Sequence, residues 1–176
     1  GVTLFASSFG NREMFLNTLA TGRASFTLGA SGVPTTVNLM SRADWRVLNF
    51  SKKIYFSGKA MTGTTNAYSN SFIGDANTFC RITLGGYSAA TTGDMTQKGI
   101  GWKKQGGTAP FFTLTVHNGT TLTDVATAVQ HADNNVIDWL IYSDGTGNVT
   151  LYINGAQVAT TAAGPTGTTT VGYAIY

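Results

Sequence analysis

The stretch at 142–158, YSDGTGNVTLYINGAQV, leaves the backbone few options. Val149, Leu151 and Ile153 alternate with Thr150 and Tyr152, which is the period of a strand with one buried face. Before it stand Asp144, Gly145, Thr146 and Gly147, a group that tolerates positive φ. After it comes Asn154-Gly155, the strongest two-residue hairpin signal among the common turns. This stretch alone predicts three strands in series, a meander.

The same grammar extends over most of the chain. TFCRITLGG, KGIGWKKQ, APFFTLTVHNG, TLTDVATAVQ, NVIDWLIYSD, NVTLYING, AQVATTA and TTVGYAIY are strand-length runs bounded by Gly, Asn, Asp or Pro. Their spacing of roughly eight to twelve residues is that of an antiparallel sandwich or barrel. Phe112, Leu114 and Val116 point one way and Thr113, Thr115 and His117 the other, so the first set belongs to a core. Upstream, WRVLNFSKKIYFSGKAM alternates through Leu48, Phe50, Lys52, Ile54 and Phe56, with Tyr55 opposite, as one bent strand or two successive ones.

The N-terminal part is less regular. Residues 2–9 read as a strand, and ASFTLGASG and PTTVNLM as two short strand-like pieces. Between them Met14, Phe15, Leu16 and Leu19 could line one side of a short helix near residues 11–20, ended by Gly22. The Thr-, Asn-, Ser- and Gly-rich stretch MTGTTNAYSNSFIGDAN reads as a long loop and a contact surface. A chain that is 42% hydrophobic, 11% charged and has 22 Gly in 176 residues suits strands and turns, and its length suits one domain. The expectation is therefore all-β: one antiparallel sandwich or barrel domain over 1–176, with at most one short helix. Residues 1–44 would be an arm or extra strands.

Charge narrows the partners. Eleven basic against eight acidic residues give a net charge of +3, and the basic residues are scattered, with Lys52-Lys53 and Lys103-Lys104 as local pairs. Nucleic-acid footprints gather such residues on one face, so no nucleic acid is expected. A single-stranded binder using Lys103, Lys104 and Trp102 is the form that reading would take. No apolar run approaches the ~20 residues of a membrane helix, and no membrane partner is expected. Cys80 is alone in a strand-like run, so it reads as a buried inert thiol. With so few surface charges, solubility would rest on partner surfaces, on Thr, Ser and Asn hydroxyls and amides, or on both, which points to an assembly.

From residue 45 onward the chain resembles the laminin-G-like, concanavalin A-like sandwich domains of bacteriophage virions and bacterial surface proteins. The resemblance rests on NVIDWLIYSDGTGNVTLYINGAQVATT, with its D-G-x-G turn and V-x-L-Y-x-N-G strand, preceded in order by RITLGG, KGIGW and LTVHNGTTLTDV. It implies a two-sheet antiparallel jelly-roll sandwich, its two twisted sheets, one concave, packed face to face. By itself it implies function loosely, since that sandwich hosts lectins, hydrolases, adhesion modules and virion parts.

Hydrolases on this sandwich carry an E-x-D-x-E strand, and Glu13 is the only Glu here. Asp133 and Asp138, five apart, cannot share a straight strand face, so a carboxylate pair for glycan cleavage is not expected from them. His117 and His131 are too few for a three-His zinc site, and His117, before Asn118-Gly119, reads as an exposed strand end. GIGWKKQGG reads as turn glycines and not as a phosphate loop, because no helix pattern follows it. No cofactor is required. Relatives often hold calcium at a loop edge, which makes Asp144, Thr146 and Asn148, or Asp75 and Asn77, the candidate ligands, although the same residues also suit a bare hairpin.

Sugars are held by aromatic platforms beside paired donors and acceptors. Tyr87, Trp102, His117, Asn118 and Asp124 lie on or near strand ends and are the candidate glycan-binding set, with Trp102 equally suited to the core and Trp139 better suited to it. The sequence points to a non-catalytic structural or adhesion module at a virion or extracellular surface: a capsid decoration, fibre or shell protein that packs against copies of itself or other shell proteins and is able to touch a cell-surface glycan. A free lectin-like module is the alternative, and a hydrolase or lyase a more distant one.

Overall fold

The computed structural model describes residues 4–6, 14–15, 25–26, 39–41, 47–61, 80–87, 94–104, 111–130, 136–170 and 173–175. The strands are β1 (Leu4–Ala6), β2 (Met14–Phe15), β3 (Ser25–Phe26), β4 (Leu39–Ser41), β5 (Val47–Asn49), β6 (Ile54–Met61), β7 (Cys80–Gly85) and β8 (Gly99–Lys104). They continue with β9 (Phe111–His117), β10 (Leu122–Gln130), β11 (Val136–Ser143), β12 (Val149–Ile153), β13 (Ala156–Thr161), β14 (Thr168–Thr170) and β15 (Tyr173–Ile175). Every pairing is antiparallel, and there is no helix among the described residues. The all-β expectation holds.

Two main sheets carry the fold. The larger has seven strands in the order β1-β4-β15-β7-β8-β9-β10, and the smaller has four in the order β13-β12-β11-β6. Two-stranded ribbons, β14-β5 and β2-β3, complete the set. The meander read from residues 142–158 is β11-β12-β13, and its second turn has Asn154 and Gly155 at φ 52° and 79°, the left-handed pair that a two-residue hairpin demands. The 45–61 segment resolves into two strands, β5 and β6, with Phe50 buried at the break.

The short helix expected near residues 11–20 is not found at Met14–Phe15, which are extended and pair with Ser25–Phe26. Consecutive apolar residues at 14, 15 and 16 do not keep to one helical face, and cross-strand ladder bonds satisfy the backbone there instead. The rest of 11–20, Trp45, the 62–79 loop with Asp75 and Asn77, and residues 131–135 with His131 and Asp133 lie outside the described residues. Strands β1 and β4 belong to the seven-stranded sheet, so the first forty residues contribute strands to it.

Alternation sends one side chain set from each sheet into a shared core. Ile82, Ile100, Trp102, Phe112, Leu114 and Val116 come from the larger sheet, and Ile137, Trp139, Ile141, Val149, Leu151 and Ile153 from the smaller. The two tryptophans meet between the layers, edge to face, with ring centroids 5.9 Å apart. Truncating Trp102 would leave a hole in this layer, a change that costs about 3–5 kcal/mol in buried sites.

Candidate functional site

Period-two alternation on β7 to β10 also builds an outer face, and here it is unusual. Arg81 on β7 stands opposite Lys103 on β8, and Lys103 opposite Thr113 on β9, while Thr115 faces Asp124 on β10. Like charges on neighbouring strands repel unless anions stand between them. Asp94 supplies one: its Oδ1 accepts from Arg81 Nη1 at 3.1 Å and lies 3.5 Å from Lys103 Nζ. Lys103 Nζ also donates to Asp124 Oδ2 at 2.6 Å. Arg81 and Lys103 are buried while both aspartates reach solvent, and the Arg81 guanidinium sits 5.2 Å from the Tyr87 ring centre.

The backbone brings Asp94 to this place by a close approach. A Cβ on Gly99 would come within 2.5 Å of the Gly86 amide nitrogen, so only glycine lets the segment after β7 cross so low over β8. Gly86 donates to the Lys98 carbonyl, and its own carbonyl accepts from the amides of Thr96 and Gln97. Met95 packs on Tyr87.

Of the five candidate glycan residues, the structure gathers two around this cluster. Tyr87 and Asp124 join Arg81, Lys103 and Asp94, but Tyr87 is buried against the guanidinium and offers no open ring face. Trp102 points the other way, into the core at 1% exposure, because its position on β8 is out of phase with Lys103. It cannot serve as a platform. His117 is buried, not the exposed strand end expected, and its Nδ1 accepts the Gly119 amide at 3.0 Å. Burial lowers its pKa below the ordinary 6.5, which keeps the imidazole neutral and the bond intact. Exposed Asn118 spends its side-chain oxygen on the amides of Thr120 and Thr121.

Lys103 and Lys104, a local basic pair in the sequence, are both buried and face opposite ways: Lys103 lies under Asp94 and Asp124, and Lys104 is on the side of β8 that carries Trp102. With Trp102 in the core as well, these three residues form no stripe for a nucleic-acid backbone to follow.

The calcium candidates form a closed turn. Asp144 Oδ1 accepts from the amides of Thr146 and Asn148, and Oδ2 from the Thr146 hydroxyl and the Asn148 amide group. These bonds, the Asn148 side chain first, hold the Asp144 pKa down at about 2. The carboxylate already has its partners within the hairpin, so a cation would have to displace them. Among the described residues no three His, Cys, Asp or Glu side chains gather in a metal-ligand cluster.

Exposed aromatic residues occur instead on the outer face of the four-stranded sheet. Tyr55 is 68% exposed and pairs with Tyr142 at 4.9 Å between ring centres. Two residues further along the strands, Leu140 is flanked by Ser57 and Tyr152, and beyond it Lys59 pairs with Asp138 at 3.1 Å. A groove of about 440 Å³ opens here, lined by Ser57, Lys59, Asp138, Leu140, Tyr152 and Gly155 among others. Sequence reasoning missed this group, although the signal was present: Tyr55, Tyr142 and Tyr152 all occupy the phase opposite to the core residues of their strands.

The fold and these two faces define an antiparallel β-sandwich with ion pairs locked on one side and exposed tyrosines on the other. Neither a scan against protein-family models nor a search of the curated proteins finds a match to the chain.

Proposed function

We propose that the chain is a non-catalytic structural or adhesion module of an outer surface, such as a decoration, fibre or shell component of a virion. One observation carries the reading: each of the four carboxylates among the described residues already has a partner within the chain, three of them in bonds that hold structure and Asp138 in an exposed pair with Lys59. Asp94 and Asp124 neutralise Arg81 and Lys103, Asp138 pairs with Lys59, and Asp144 closes its own turn. General acid–base work needs a carboxyl group with a free lone pair or proton aimed at a substrate.

The glycan-hydrolase alternative has one observation in its favour. Asp94 and Asp124 both reach one ammonium, at 3.5 and 2.6 Å, which brings them close enough to meet the carboxyl separations of about 5–9.5 Å that glycosidases use. Yet the ammonium fills the gap between them, where the glycosidic oxygen would have to lie. The holding role is therefore favoured.

Two measurements test the proposal. Purified protein incubated with a polysaccharide panel is expected to release no reducing ends; release that disappears in Asp94→Asn would establish an enzyme. Size-exclusion chromatography with electron microscopy is expected to find the chain in a regular assembly or bound to a larger particle. A monomer that binds neither particle, cell nor glycan would count against the adhesion role.

A further inference from the structure

The register of the four-stranded sheet arranges its outer side chains in rows across the strands. Tyr55, Tyr142 and Thr150 form one row, Ser57, Leu140 and Tyr152 the next, and Lys59 with Asp138 a third. Leu140 is half-buried, with the rings of Tyr142 and Tyr152 on neighbouring positions, while Ser57 is short and Gly155 has no side chain. The low middle row between taller neighbours is the groove, and its volume of about 440 Å³ falls in the range of small-molecule sites.

The lining chemistry selects the occupant. Leu140 and the Tyr152 ring give an apolar floor. Lys59 offers donors, Asp138 offers acceptors, and the Ser57 and Tyr152 hydroxyls offer both. The two charges are 3.1 Å apart and cancel, so the site has no preference for an anion or a cation. An acidic polysaccharide or a nucleic acid would find no surplus positive charge there, and a purely aliphatic ligand would strip water from an exposed ion pair without replacing its hydrogen bonds. A pyranose ring, apolar on its C–H face and edged by hydroxyls that need donors and acceptors alike, satisfies every group in the groove.

The aromatic surface also extends beyond one ring. The Tyr55–Tyr142 pair lies a two-residue step along the strands, about 7 Å away, and Tyr55 is the most exposed of the large apolar side chains among the described residues. We infer that this face binds a neutral polysaccharide running along β11, with one sugar over Leu140 and Tyr152 and a neighbouring sugar against Tyr55 and Tyr142. The inference rests on the adhesion reading and assigns it a site on the opposite sheet from Tyr87, His117, Asn118 and Asp124.

Affinity electrophoresis tests it, in gels containing β-glucan, xylan, galactomannan or dextran as neutral probes and alginate or hyaluronate as acidic ones. At least one neutral gel is expected to retard the protein. Tyr152→Ala should weaken that binding about tenfold or more and Tyr55→Ala by a smaller factor, while Gln130→Ala on the other sheet leaves it unchanged; melting curves check that each variant is folded. Lys59→Met is expected to weaken binding to the neutral gel without any change in its salt dependence. The inference is overturned if no neutral gel retards the protein, if only the acidic gels do, or if retardation survives both tyrosine variants. It is also overturned if sedimentation shows a dimer that Tyr55→Ala dissociates, since the face would then be covered by a second copy. Release of sugar from a bound polysaccharide would sink the non-catalytic reading and leave the groove assignment standing.

Discussion

The outer faces of the two sheets place ion pairs of the same chemistry in opposite surroundings. On the seven-stranded sheet the Lys103 side chain is 7% exposed and is shared by two carboxylates, with Arg81 beside it. On the four-stranded sheet Lys59 and Asp138 are 74% and 58% exposed and meet one to one. A buried cation has lost its hydration and depends on its counter-ions, whereas an exposed pair trades water for a partner at little gain. Identical residue types thus act as a structural clamp on one face and remain available to a ligand on the other.

The largest effect should come from removing both anions of the clamp. Asp94→Asn with Asp124→Asn leaves Lys103 under the surface without the two carboxylates it is shared between and takes Asp94 from Arg81, and a loss of about 3–5 kcal/mol is expected in urea unfolding. A loss below about 1 kcal/mol would mean that the cations reach water in solution and that the two faces do not differ as described.

Acid should act on the same face next. His117 has a folded-state pKa below 6.5, so its contribution is complete above pH 6.5 and is lost as pH falls through the lowered folded value. Thermal melts should decline over that interval, and His117→Gln, which retains an acceptor, should flatten the decline. An unchanged profile in that variant would assign the acid sensitivity to other groups.

The four-stranded sheet should respond at lower pH and more weakly. Asp144 titrates near 2 in the folded chain against an ordinary 3.8, so the support it gives its turn is present above pH 3.8 and disappears as pH falls through about 2. Asp144→Asn should remove that part of the acid-unfolding curve. The smallest effect belongs to the exposed pair: Lys59→Met should change stability by less than about 0.5 kcal/mol. A larger loss would erase the contrast between the faces.

Much of the fold was legible because it is written in local alternation. Phe112, Leu114 and Val116, like Val149, Leu151 and Ile153, announce their buried face through period two alone, and Asn154-Gly155 announces its turn. The candidate site was less legible. Trp102 and Lys103 are adjacent in sequence, and alternation says that they face opposite ways but not which way is in. That depends on which face of β8 meets the four-stranded sheet, a contact between distant segments. The Asp94 contacts to Arg81 and Lys103 likewise depend on a backbone crossing at Gly86 and Gly99 that no spacing rule predicts. The tyrosine face was readable in phase, but its exposure was not, because an outward position on one sheet is covered and on the other is open.

Strand β15 lies between β4 and β7 and is the only described link between β1-β4 and the rest of the larger sheet. Residues 173–175 follow every other described strand in the chain, so the β4–β15 pairing cannot form until the chain has been made as far as these residues. The larger sheet therefore closes late, through contacts between residues about 90 positions apart on one side of β15 and about 135 on the other, and such closure is slow and leaves strand edges open meanwhile. An edge left open in this way is where a nascent chain is most prone to pair with a wrong strand.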